Sequence, residues 1–147
     1  MTAFRRLAQG GRIDRAKPVT ARFDGKPLMG FAGDTLAAAL LANDRIVIGR
    51  SFKYHRPRGI LSAGIEEPNA LFMLGEGARS EPNVAATLTD LVDGLVARSQ
   101  YAWPSPDFDL MAVNSALAPL FQSGFYYKTF MGPTKGAWMF YEPFIRK

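Results

Sequence analysis

The sequence contains no cysteine. That excludes disulfides, thiol nucleophiles and thiolate metal sites, and it fits a reducing compartment. Histidine is nearly absent too, with His55 alone in 147 residues. One imidazole would have to serve every role as base or ligand, and the spacing of Ser51, Ser62, Asp34 and Glu66 suggests no triad around it. Nowhere do about 18 apolar residues run without a charge, so no membrane span is expected. Phe4-Arg5-Arg6-Leu7 begins no apolar stretch of signal-peptide length. No GxxxxGK[ST] motif occurs, and Gly75-Glu76-Gly77 lacks both the third glycine and the following helix of a phosphate fingerprint, which leaves a hairpin turn. Glu66 and Glu67 are adjacent and would point to opposite faces of an extended chain, a poor geometry for paired acid and base.

What is present is the composition of an ordinary globular domain, with 48% hydrophobic and 21% charged residues. At this length one compact domain is the default. The net charge is +5, from 18 basic against 13 acidic residues. The excess is concentrated in residues 5–17 and 50–58. The second cluster packs Arg50, Lys53, His55, Arg56 and Arg58 into nine positions, with Phe52 and Tyr54 interleaved. Cations so close repel one another, so they are either solvated or gathered around an anionic partner. With the aromatics between them they could hold phosphates and stack bases, as single-strand binders do. Equally, they could meet a cofactor phosphate or carboxylates of a neighbouring subunit. Pro57 and Gly59 stiffen the loop, which suits a fixed docking shape better than a flexible nucleic-acid arm.

Along the chain, residues 1–18 are expected as an arm, broken at Gly10-Gly11. Residues 19–23 alternate as a strand, Asp24-Gly25-Lys26-Pro27 is turn chemistry, and residues 28–31 return as the second strand of a hairpin. Asp34 is placed to cap a helix over residues 35–42 whose Leu36, Leu40 and Leu41 share one side. Ile46, Val47 and Ile48 suggest a short buried strand, residues 70–74 a central one, and residues 84–87 another extended piece. Leu88, Leu91, Val92, Leu95 and Val96 fall at helical spacing and predict an amphipathic helix, with Thr87 to Asp90 as its capping box. Hairpin, helix, then strands is the order of a β-grasp sheet, so the expected class is α+β, with residues 19–100 as the domain. Residues 101–147 form an aromatic and proline-rich extension, with a short helix expected over 109–117 and with Phe121, Phe125, Tyr126, Tyr127, Phe130, Trp138, Phe140, Tyr141 and Phe144. Such aromatics either pack on the domain's own core or form an interface.

Several long segments carry a more specific signal. FDGKPLMGFAGDTLAAALLAN, GRSFKYHRPRGI, EEPNAL, FDLMAVN and GFYYKTFM together resemble the N-terminal part of the α subunit of heterotetrameric sarcosine oxidase, from about Arg6 to the last residue. The resemblance implies a ferredoxin-like β-grasp domain whose cluster loop has lost its cysteines, with a helical, aromatic-rich C-terminal extension. It implies a cytoplasmic enzyme that oxidatively demethylates sarcosine to glycine with FAD, FMN and NAD, passes the one-carbon unit to tetrahydrofolate and releases hydrogen peroxide. The partners implied are the remaining α-subunit domains, including a dinucleotide-binding domain, and the β, γ and δ subunits. On that view the chain is a fragment, split subunit or expressed domain that binds no cofactor by itself, carries no catalytic residue and is not catalytic alone. Arg50, Lys53, His55, Arg56 and Arg58 are then candidates for a cofactor or subunit contact. The alternative is a free-standing basic module for nucleic acid.

Overall fold

The computed structural model describes residues 5–118 and 137–146. Two long strands, β1 (Asp14–Phe23) and β2 (Lys26–Ala32), form the expected hairpin with Thr20 opposite Met29 and Ala21 opposite Leu28. Asp24 and Gly25 both take positive φ, which suits a two-residue turn that follows the strands' own twist. β1 begins inside the segment expected as an arm, because Asp14 already pairs with Ala32.

Helix α1 (Leu36–Ala42) follows, burying Leu36, Ala37, Ala39, Leu40 and Ala42 while Leu41 stays partly exposed. Its cap is Thr35, not Asp34. The Thr35 hydroxyl oxygen accepts a bond from the Ala38 N–H at 3.2 Å. Asp34 is turned inward instead, where it accepts from the Phe31 N–H at 2.8 Å and from both terminal nitrogens of Arg6 at 2.9 and 2.7 Å. Gly30 makes room for this, since a Cβ there would lie 2.9 Å from the Asp34 carboxylate and 2.4 Å from Leu91.

Beyond the helix, β3 (Gly49–Arg50) and β4 (Pro57–Arg58) pair antiparallel as a small separate ribbon. The strand expected over Ile46 to Ile48 is absent. Ile48 is buried but Ile46 is half exposed, and pairing starts only at Gly49. β5 (Leu71–Leu74), β6 (Glu81–Ala85) and β7 (Val96–Arg98) complete the main sheet, whose order is β2-β1-β7-β5-β6. β7 runs parallel to β1 and antiparallel to β5. The centre of the sheet is therefore β7, and β5 lies beside it. Ala21, Phe23 and Leu28 of the hairpin, Leu36 and Leu40 of α1, and Phe72, Leu91 and Ala97 share one core. The class is mixed α+β, dominated by the sheet.

The helix expected over residues 88–96 does not form. Leu91 donates to the Asp34 carbonyl and Leu36 to the Thr89 carbonyl, both at 2.8 Å, so this segment spends its backbone bonds on the start of α1. Gly94 takes φ +76° and donates to Thr20, and Val96 enters the sheet. Of the five apolar residues at helical spacing, Leu91 and Leu95 are buried whereas Leu88 and Val92 are 57% and 55% exposed.

Past the sheet, the helix expected over 109–117 is a 3-10 turn at Leu110–Ala112 followed by one α-turn, α2 (Val113–Ala116). A further helix, α3 (Ala137–Arg146), carries Trp138, Phe140 and Tyr141 and contains Pro143. Phe121, Phe125, Tyr126, Tyr127 and Phe130 lie outside the described residues. No described helix is long and apolar enough to cross a membrane.

Because Leu91 sits in the core and Leu88 does not, alanine at the two positions should have unequal effects. Leu91→Ala is expected to lower the free energy of unfolding by about 2–4 kcal/mol, and Leu88→Ala by less than about 0.5 kcal/mol. Urea denaturation of both variants checks this. Equal losses would restore the helix.

Candidate functional site

The basic ribbon is closed on itself by its own backbone. Ser51 donates to the Arg56 carbonyl at 2.9 Å, His55 to the Ser51 carbonyl at 2.9 Å, and the Ser51 hydroxyl accepts from Arg56 N–H at 3.0 Å. The turn puts His55 at φ +53°. A left-handed backbone costs a non-glycine residue roughly 1–2 kcal/mol, so it persists only where contacts fix it.

Those contacts come from residues 103–115. His55 Nδ1 lies 2.7 Å from an Asp109 oxygen, and both side chains are buried. The other Asp109 oxygen accepts from the Trp103 and Met111 N–H groups at 3.1 and 3.2 Å. Arg50 reaches the same place. Its guanidinium donates to the Pro106 carbonyl at 2.8 and 2.5 Å and to the His55 carbonyl at 3.0 Å, with Nε 4.0 Å from Asp109. Ser115 closes the docking by donating to the Tyr54 carbonyl at 2.5 Å.

The five sequence-predicted site residues therefore divide. Arg50 and His55 face inward and are engaged by Asp109 and Pro106. Lys53 and Arg56 each lie over the Tyr54 ring, at 5.0 and 4.9 Å from its centroid, within cation–π range. Arg58 donates to the Asn69 side-chain oxygen at 2.6 Å. A cavity of about 180 Å³ opens between the ribbon and the loop before β5, lined by Arg50, Phe52, Arg58, Asn69, Gln100 and Tyr101 among others. Gln100 is 4% exposed, and its carboxamide nitrogen and oxygen have no partner among the described residues.

Glu67, which precedes the cavity-lining Pro68 and Asn69, is 5% exposed. One of its oxygens accepts from the Leu61 and Ser62 N–H groups at 2.6 and 2.5 Å, and from the Ser62 hydroxyl at 3.4 Å. The other accepts from the Asn69 and Ala70 N–H groups at 2.7 and 3.1 Å. Burial alone would push this carboxyl up in pKa, but the donors of Ser62, Asn69, Leu61 and Ala70 together outweigh it and hold it below its ordinary value. Asp109, Asn69 and Gln100 escaped the sequence analysis, and Glu67 entered it only as a poor acid–base partner. A buried acid shows no periodicity, so the available signal was local: Glu67 precedes Pro68-Asn69 in a loop whose N–H groups needed an acceptor.

Residues 16–102 match the family described as a 2Fe-2S iron-sulfur cluster binding domain. The chain belongs to that family. The resemblance to sarcosine oxidase α subunits is borne out as well. The chain is 56% identical over 142 residues to sarcosine oxidase subunit alpha of Rhizobium meliloti (strain 1021), covering 97% of this chain and 14% of that protein. It is 45% identical over 91 residues to the subunit of the same name from Corynebacterium sp. (strain U-96), covering 60% of this chain and 9% of the relative. The Corynebacterium sp. (strain P-1) subunit is 42% identical over 102 residues, at 65% and 10% coverage. The chain thus spans about one seventh of these relatives or less. Among solved structures, L-proline dehydrogenase from P. horikoshii is similar at TM-score 0.48 and 25% identity, over 63% of this chain and 17% of that one.

A two-iron cluster of the plant type needs four thiolates. The residues present do not fit it. The chain has no cysteine, no three His, Asp or Glu side chains gather as a metal site among the described residues, and both Glu67 oxygens are engaged by backbone donors.

Two measurements test these contacts. Asp109→Ala strands the Arg50 and His55 donors and is expected to cost about 3 kcal/mol, by the rule for one lost partner of a buried pair. Limited proteolysis should then cut residues 103–118 first. Glu67→Gln should be less stable at neutral pH by about 1–3 kcal/mol, as for stranded buried donors. A depressed folded-state pKa means this advantage is complete above the ordinary carboxyl value of 4.5 and fades as pH falls through the lower folded value. Denaturation curves of both proteins across acidic pH should converge.

Proposed function

We propose that the chain is the N-terminal structural and assembly domain of a sarcosine oxidase α subunit. In this reading residues 1–18 are an arm that runs into β1 from Asp14 onward, residues 19–100 a ferredoxin-like β-grasp, and residues 101–147 an aromatic extension towards the following dinucleotide-binding domain. The complete cytoplasmic enzyme would demethylate sarcosine to glycine using FAD, FMN and NAD, hand the one-carbon unit to tetrahydrofolate and release hydrogen peroxide. This domain would hold the other α-subunit domains and the β, γ and δ subunits together, carrying no catalytic residue of its own.

The observation that supports this most is identity at 56% along 97% of the chain with a sarcosine oxidase α subunit. A free module would need only its own core conserved, whereas this identity runs through the extension as well. The exposed side of the ribbon supplies the contact chemistry. Arg56 and Arg58 are exposed, and Arg58 lies at the cavity edge beside Asn69. Both suit the phosphate of a cofactor or carboxylates of a neighbouring subunit.

The experiment is co-purification of the 147-residue chain with the remaining α-subunit domains and the other three subunits, followed by flavin absorption. Wild type is expected to join a complex holding FAD and FMN, and the double variant R56Q/R58Q to lose subunits or flavin. Unchanged assembly and flavin content in the variant would remove the ribbon from the contact. A solitary chain that binds single-stranded nucleic acid with steep salt dependence would overturn the whole proposal.

A further inference from the structure

Ser62, Glu67 and Ala70 are separated by four and then two residues. That is the interval at which plant-type two-iron domains carry three of their cysteines, in the C-x4-C-x2-C pattern. A fourth residue, Ala86, is fully buried beside Ala70, and its N–H donates to the Ala70 carbonyl at 2.8 Å. None of the four side chains has a sulfur atom. Yet the loop has not relaxed into an open turn, because the N–H groups of Leu61, Ser62, Asn69 and Ala70 still converge on one point, and the Glu67 carboxylate stands there.

We propose that Glu67 is an internal anion that has replaced the iron–sulfur cluster as the organiser of residues 61–70, filling a seat of four backbone N–H groups with a carboxylate of the chain itself. The electrostatics of the two solutions are alike. Converging N–H dipoles form an anion-binding concavity, and the sulfurs of a cluster accept N–H bonds as a carboxylate does. Without any anion, four converging donors would lose their common acceptor, and those shut off from water, the buried Ala70 N–H above all, would be stranded at a penalty. Neighbouring Glu66 is exposed and cannot take the place. Glu67 acts as a positioning residue. It fixes the Asn69 backbone, the Asn69 side chain receives Arg58, and both line the cavity beside the ribbon.

An emptied seat should therefore accept a small external carboxylate. In Glu67→Ala the amides of Leu61, Ser62, Asn69 and Ala70, followed by NMR hydrogen exchange in the full chain, are expected to lose at least about tenfold in protection. Formate should restore it, while formamide, of the same shape without the charge, should not. The proposal is overturned if the four amides stay protected in the variant, if formate restores nothing, or if formamide works equally well. Should Glu67→Ala not fold, Glu67→Gln carries the test. Faster exchange at these four amides than in wild type supports the anion seat, and wild-type protection at all four overturns it.

Discussion

Three inward-facing carboxylates hold together what the sheet alone does not. Asp34 joins Arg6 of the N-terminal segment to the hairpin and to the entrance of α1. Glu67 gathers both ends of the loop before β5. Asp109 ties residues 103–111 to the basic ribbon through His55. Each accepts at least one backbone N–H and lies at 8% exposure or less. A charge taken out of water at such sites is costly unless every lone pair is answered, and here donors supplied by distant parts of the chain answer them. The same requirement that makes each carboxylate expensive also makes its surroundings specific, since few arrangements of the loops provide those donors.

The need for such devices follows from the proportions of the fold. β3 and β4 are two residues each and β7 three, so much of the chain between α1 and the end of the sheet is irregular. Irregular backbone has no ladder to satisfy its N–H groups. Members of this family that hold a cluster answer part of that demand with metal and thiolates. A chain without cysteine must answer it with oxygen acceptors, and the placement of Glu67 shows how one side chain can serve four donors.

Patterns that depend on near neighbours were legible in the sequence. The hairpin was marked by alternation on either side of Asp24-Gly25, and α1 by its run of Leu and Ala. The segment from Leu88 to Val96 misled because its spacing fits a helix while the bonds that decide its shape are made with Asp34, Leu36 and Thr20, far away in the chain. Asp34 was assigned to the helix cap for a similar reason. Ranked by local preference, Asp and Thr are both good caps, and it is the Phe31 N–H together with the guanidinium of Arg6, 28 residues earlier, that engages Asp34 and leaves the role to Thr35. Buried polar contacts of this kind have no period, so no window of sequence displays them.

The basic cluster shows what density of charge can and cannot say. Five potential cations in nine positions read as a single binding patch, but the fold gives them different partners. Arg50 and His55 turn to the Asp109 carboxylate and to the carbonyls of Pro106 and His55, so part of the positive charge is used to dock residues 103–115. Arg56 and Lys53 both lie over the Tyr54 ring, and Arg58 reaches the loop that Glu67 organises. The outer three thus share a scaffold built by the inner two. Any anion that meets the ribbon meets cations whose spacing is set by Tyr54 and Asn69, and the left-handed turn at His55 keeps that spacing only while Asp109 holds the imidazole.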